Sequence, residues 1–197
     1  MAITFQYNKT SLQTLNKSLK MRLMALPIIK NKESALRLEV HRRKENLYKQ
    51  RQAYQTKLGS FELNDSLWAQ FDFDLLVVDK IEIDIKKIAG VRIPIYRAVS
   101  FEIRDTSWIN RPGWFADCIL FLKEITQLQL ELKILEEQLE ILERERKRTT
   151  QKVNLYEKVQ IPEIETGIKK IKRFLEDEDN LSKAAQKMVK SRTVASV

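Results

Sequence analysis

The side chains that most often do chemistry are few and scattered in this chain. His41 is the only histidine among 197 residues, so a multi-histidine metal centre and a Ser-His-Asp proton relay both lack their parts. A polar surface or interhelical place on a helix is the simplest expectation for it. Cys118 is also single and stands beside Ile119, Leu120 and Leu122, a neighbourhood that predicts a buried thiol acting as a small apolar group. Asp72, Asp74, Asp79, Glu82 and Asp84 lack the remaining ligand positions of a calcium loop, and read as a solvated loop and hairpin edge. The four glycines are scattered singly, so no glycine-rich loop exists to cradle a nucleotide's phosphates. The expectation is a non-catalytic chain with no resident metal or cofactor.

What remains is charge, and it is unevenly placed. Residues 1–32 hold Lys9, Lys17, Lys20, Arg22, Lys30 and Lys32 with no acid, and residues 180–197 hold Lys183, Lys187, Lys190 and Arg192, again with none. The two ends therefore carry ten positive charges while the whole chain carries +9, which leaves the interior nearly neutral. Lys9, Lys17, Lys20, Arg22, Lys183, Lys187, Lys190 and Arg192 are the expected contacts with a partner. Such a basic group suits nucleic acid, an anionic membrane surface or an acid-walled protein socket. Nucleic-acid readers interleave charge with stacking aromatics, whereas ten of the sixteen aromatic residues here lie between Phe61 and Phe121. Glu143 to Arg148 mixes signs at helical spacing and reads as a solvated face. The sequence has no run of ~18 apolar residues and does not begin with a charged segment followed by an apolar core. A soluble chain is expected, cytoplasmic or peripheral to a membrane.

Two heptad-patterned arms must position those charges. In the first, roughly Ser11 to Leu58, a 3-4 rhythm runs through Leu15, Leu19, Arg22, Leu26, Ile29, Glu33, Leu36, Val40, Arg43, Leu47, Gln50 and Tyr54. Eight of these twelve seam positions are apolar. In the second, roughly Trp114 to Asp179, it runs through Ile125, Leu128, Leu132, Leu135, Leu139, Leu142, Arg146, Thr149, Val153 and Tyr156, then re-phases to Ile164, Ile168, Ile171 and Leu175. A period near 3.5 keeps a narrow stripe against one partner helix. At a rise of about 1.5 Å per residue the arms would span ~70 and ~100 Å, too long for a compact domain. The predicted fold is mostly α, a long antiparallel two-helix coiled coil with a small central β-hairpin and a short helical section. The expected divisions are 8–59 for the first helix, 60–112 for the centre, 113–182 for the second helix and 183–197 for a basic, partly flexible tail.

Breakers punctuate this plan. Gly59 follows the first arm and Pro112-Gly113 precedes the second. Pro27 and Pro162 should bend their helices locally, the latter where the seam re-phases. In the centre Ile81, Ile83 and Ile85 alternate with Glu82, Asp84 and Lys86, and Val91, Ile93 and Ile95 alternate beyond Ala89-Gly90, which predicts a hairpin. Val99, Phe101 and Ile103 extend the second strand or form another. The six alternating residues Ile81, Ile83, Ile85, Val91, Ile93 and Ile95 mark the expected docking region for a second partner. Burial of the aromatic section in a small local core is the plainer reading, and both can hold because an isolated two-stranded hairpin is marginal alone.

The stretch Val153-Asn154-Leu155-Tyr156-Glu157-Lys158-Val159-Gln160-Ile161-Pro162-Glu163-Ile164-Glu165-Thr166-Gly167-Ile168 resembles the C-terminal signature of the D subunit of V-type and A-type rotary ATPases. Asn8-Lys9-Thr10, Ile28-Ile29-Lys30-Asn31-Lys32 through Leu36, and Gly90-Val91-Arg92-Ile93-Pro94 are similar to that family's other segments, in the same order. The chain departs from the pattern at Pro27, Glu33, Tyr156 and Gly167. The resemblance implies a central-stalk rotor shaft whose terminal helices enter a hexameric head of catalytic and regulatory subunits. It also implies an F subunit alongside the lower shaft and a funnel-shaped subunit above the membrane ring. ATP chemistry would belong to the head, and the complex would lie at the inner face of the cell membrane with no direct membrane insertion by this chain. A generic coiled-coil adaptor or a basic nucleic-acid-binding protein is the alternative left by the residues alone.

Overall fold

The computed structural model describes residues 5–60, 70–104 and 112–195, with side chains through 191. The elements in order are helix α1 (Lys9–Gly59), a 3-10 turn (Phe73–Leu75), strands β1 (Leu76–Ile88) and β2 (Val91–Ile103), helix α2 (Trp114–Asn154), a π-helical segment (Leu155–Gln160) and helix α3 (Ile161–Ala195). The mostly helical fold with a central antiparallel hairpin is as expected. Val99, Phe101 and Ile103 extend β2. Trp68 and Trp108 lie outside the described residues, as does the centre's expected helical section apart from the single 3-10 turn.

Asn8 caps α1, its Oδ1 accepting the Ser11 N–H at 2.7 Å and so satisfying one of the four orphan donors of the first turn. The helix then runs unbroken through Pro27, although that residue has no N–H to offer the Leu23 carbonyl one turn back. It ends at Gly59. The chain divides into two compact units, a central one of residues 34–147 and a terminal one of residues 1–33 with 148–197.

In the central unit α1 and α2 run antiparallel with the hairpin against them. Leu36, Val40 and Leu142 from the helical seam enclose Val91 and Ile93 of β2, and Leu36, Leu142 and Ile93 are fully buried. A second core gathers Phe71, Leu75, Phe115, Cys118 and Ile119, with Trp114 and Leu122 against it. Each fully buried aliphatic side chain contributes about 1.5–3 kcal/mol relative to exposure. Lys44–Glu143 and Arg51–Glu136 tie the helices at 2.6 and 2.7 Å, and Lys57 pairs with Glu124. These exposed ion pairs add about 0–1 kcal/mol each and chiefly fix register.

The hairpin turns on Ala89 and Gly90, with φ of 48° and 81°. Two consecutive positive φ angles make the turn whose twist matches a two-residue hairpin loop, and glycine takes the second at little cost. Register runs from Ile88↔Val91 to Leu76↔Ile103, with single-residue bulges at Asp79 and Arg97. The strand against the helices is β2. Its edge is capped at Pro94, whose carbonyl accepts from Gln138 Nε2 at 2.5 Å.

In the terminal unit Leu15 packs with Ile164, Ile168 and Ile171, and Phe5, Leu12, Leu19 and Leu175 surround them. Phe5 packs closely over Gly167. A Cβ there would stand 3.1 Å from the Phe5 ring and 3.4 Å from Leu15, so a residue that weakens the helix makes room for an aromatic seat. The π-segment ends two residues before Pro162, at the seam's change of phase, and Ile161 N–H bonds back to the Tyr156 carbonyl.

Candidate functional site

The groups with chemical potential are all engaged in ordinary structural contacts. His41 is exposed, its Nε2 3.4 Å from Glu45 one turn on. Cys118 is fully buried, and burial, with Asp117 nearby, pushes its thiol pKa up, away from reactivity. Asp72 caps the 3-10 turn through the Asp74 N–H, Asp79 accepts from Ser100, Glu82 meets Lys80 and Asp84 meets Arg97. Among the described residues no cluster of three His, Cys, Asp or Glu side chains could hold a metal ion, and no helix is long and apolar enough to cross a membrane.

Two surfaces remain. The first is the cationic group of the terminal unit. Lys9, Lys17 and Lys20 are exposed on α1. Arg22 is not a free cation in the same sense, because it is half-buried at the seam with Nε donating to Gln160 Oε1 at 2.8 Å and Nη1 donating to Ser18. Lys183, Lys187 and Lys190 are exposed on α3, Lys183 lying 3.6 Å from Asp179. Arg192 falls in the helix but its side chain lies outside those described. Helix α3 includes residues 183–195. From Glu176 through Ser191 every residue is exposed, including Leu181 at 73% and Met188 at 61%.

Sequence reasoning overlooked a neighbour of these cations. Glu176, Asp177, Glu178 and Asp179 form an unbroken acidic run one turn before Lys183, and Glu176, Glu178 and Asp179 line a depression with Tyr7, Lys9 and Leu175. The exposed group is thus a basic segment set beside an acidic band. The signal was in the sequence, but dividing the charge at residue 180 hid it. Met21, Met24 and Ile28 were also missed; they lie off the seam at i, i+3, i+7 and are exposed on α1.

The second surface is the hairpin, which separates the six residues expected to act together. Ile81, Ile83 and Ile85 are exposed, the last at 74%. Val91 and Ile93 are buried against the helices, and Ile95 is half-buried. The first three can meet a partner, whereas Val91 and Ile93 hold the hairpin in place. Tyr96 stands opposite Ile83 in the ladder and is half-buried. Its burial, then the charge of Glu131, raise its pKa, partly offset by a hydrogen bond with the Val99 backbone.

Residues 11–191 match the family model for the D subunit of ATP synthase. The chain is 35% identical to the V-type ATP synthase D subunit of Borreliella burgdorferi over 191 residues, covering 93% of this chain and 92% of that protein. It is 28% identical to the V-type ATP synthase D subunit of Chlamydia trachomatis over 197 residues, covering 98% and 97%.

Proposed function

This chain belongs to the ATP synthase D-subunit family, and from that premise we propose that it is the central-stalk rotor shaft of a V-type ATPase, coupling ATP hydrolysis or synthesis in a catalytic head to ion movement through a membrane ring. The match over residues 11–191 is the observation that carries this reading. The packing supports it. A torque-bearing element needs helices that cannot slip past one another, and the polar seam residues serve that end. Arg22 bonds across the seam to Gln160, Thr150 donates to Glu33 and Arg43 donates to Gln138. A polar pair inside an apolar seam penalises every other register, because a slipped helix would bury these groups without partners.

In this reading the exposed end of α3, with Lys183, Lys187, Lys190 and Arg192, enters the hexameric head together with Lys9, Lys17 and Lys20. The outer face of the hairpin lies toward the F subunit and the lower stalk, and the foot rests on the funnel-shaped subunit. The chain is a non-catalytic member of the complex and a peripheral one, at the inner face of the membrane. Its exposed cations give the shaft a positive side that can meet three equivalent head interfaces unequally as it turns.

Co-expression with the head and F subunits tests the assignment. The chain should join the complex, and cross-linking it to the head should stop turnover. Replacing Lys183, Lys187, Lys190 and Arg192 by neutral residues should lower head assembly, hydrolysis rate or coupling. Unchanged values in all three would remove the basic end from the mechanism, and failure to join the complex would remove the rotor reading itself.

A further inference from the structure

The hairpin is a two-stranded sheet with one edge covered and one open. On the covered side Gln138 of α2 takes the Pro94 carbonyl, and Val91 and Ile93 are sunk among the helices. On the open side every residue of β1 from Val78 through Lys87 is exposed.

The register says which backbone groups the open edge presents. A two-residue turn closes on a hydrogen-bonded pair, here Ile88 and Val91, and pairs alternate from it. Ile85–Pro94 and Ile83–Tyr96 are then non-hydrogen-bonded pairs, whose amides and carbonyls point out of the ladder. Pro94 agrees twice, since it has no N–H to give β1 and its carbonyl is taken by a helix on the far side. The N–H and C=O of Ile83 and Ile85 therefore face the open edge.

Side chains and charge sharpen this edge. Ile81, Ile83 and Ile85 share one face of β1, and the next residue on that face is Lys87, directly opposite Arg92. Both cations are exposed, and like charges directly opposite one another are destabilising. The apolar band thus ends in a cation pair that no described acid relieves. Open edges invite strand addition.

We propose that β1 is a strand acceptor. A segment of the F subunit adds along its open edge, pairing with the backbone of Ile83 and Ile85, placing alternate apolar side chains on the Ile81–Ile85 face and an acidic residue at Lys87 and Arg92. This rests on the reading that the F subunit meets the hairpin, and adds the mode of contact. Charge complementarity favours an acidic, apolar-alternating strand over a nucleic acid, which would leave the isoleucines without a partner, and over a second copy of β1, whose Asp79, Glu82 and Asp84 are balanced by Lys80, Lys86 and Lys87 and which brings no net negative charge to Lys87 and Arg92.

The test is amide hydrogen exchange on the full chain, alone and co-purified with the F subunit. In the free chain the Ile83 and Ile85 amides should exchange fast, and in the complex they should slow by roughly 100-fold or more. Ile85→Pro removes an outward donor that the hairpin ladder does not use, and should weaken the complex by roughly tenfold or more, while Ile85→Thr keeps the amide and most of the affinity. Lys87→Glu with Arg92→Glu should weaken it as well and reduce its sensitivity to salt. A complex in which Ile83 and Ile85 still exchange fast overturns strand addition and leaves the partner reading intact. Absence of any complex overturns both, and dimerisation of the free chain that protects these amides overturns the choice of occupant.

Discussion

Gln138 is the side chain whose removal should uncouple the hairpin from the helices. It is only 2% exposed, accepts from Arg43 Nη1 at 2.6 Å and donates to the Pro94 carbonyl at 2.5 Å. One amide thereby joins α1, α2 and β2, and only one orientation of its oxygen and nitrogen satisfies both neighbours. Gln138→Leu removes both bonds. Losing the charge-assisted one costs about 1.5–3 kcal/mol and the neutral one about 0.5–1.5, with about 1–3 more for polar atoms left without partners. Additional apolar burial returns about 1 kcal/mol, so the net loss should be about 2–6 kcal/mol. Gln138→Glu separates the two halves. It keeps an acceptor for Arg43 but sets a carboxylate against the Pro94 carbonyl, so α1 should stay paired while the hairpin loosens. Urea unfolding followed by far-ultraviolet circular dichroism gives the total, and amide exchange across Val91–Ile95 gives the hairpin's share. The three-way role would be refuted if the leucine variant unfolded within about 0.5 kcal/mol of the parent and those amides exchanged at unchanged rates.

Other outcomes follow from single contacts. Leu142 is fully buried between both helices and the hairpin, so Leu142→Ala should cost about 3–4 kcal/mol in denaturant unfolding, near the middle of the range for large-to-small core changes. The hydrogen bond from Lys44, the largest influence, holds the Glu143 carboxyl below its ordinary 4.5. A depressed folded-state value means the unfolded chain binds the proton first as pH falls, so the stabilisation is complete above about 4.5 and is lost as pH drops through the folded value. Glu143→Gln should flatten the stability–pH curve in that acid window and leave its neutral slope alone. Cys118 should resist alkylation in the folded chain and react quickly once unfolded, a contrast that timed thiol labelling with mass readout measures.

The heptad seam was legible because it is a local pattern with a physical period. All twelve α1 positions from Leu15 to Tyr54 are buried or half-buried, including the four that are polar. The turn at Ala89-Gly90 was legible for the same reason, since two residues decide it. Where the hairpin lies was not. Its seat on α2 needs Gln138, which falls off the coiled-coil stripe and is nonetheless buried against Pro94, and a glutamine among charged neighbours gives no local hint of burial. The candidate docking residues failed in the same place. Alternation identified two strands with apolar faces, but only the long-range contact with Leu36, Val40 and Leu142 decides that Val91 and Ile93 face inward while Ile81, Ile83 and Ile85 do not.

The irregularity at Pro162 shows how a local rule and a long-range need can be met by one device. Proline has no N–H, and in an α-helix its ring would press on the carbonyl of Lys158 four residues earlier. A turn widened to the i to i−5 pattern eases that clash, and the chain adopts it over Leu155–Gln160, with Ile161 N–H reaching the Tyr156 carbonyl. The widened turn also takes up one extra residue. From Tyr156 the seam resumes at Ile164, eight positions on, where a heptad would place it at seven, and an unrelieved step of one residue would turn the stripe by about 100° away from its partner. With the π-segment absorbing the excess, Ile164, Ile168 and Ile171 return to Leu15. Replacing Pro162 by alanine would remove the clash but not the extra residue, so the π-segment should persist in that variant. Deleting one residue between Leu155 and Gln160 as well should restore a plain α-helix with the same burial of Ile164 and Ile171. Hydrogen exchange along Tyr156–Ile164 reads both variants. A proline-free chain that lost the π-segment while keeping all of its residues and its seam would show that the ring, and not the phase, dictates the wide turn.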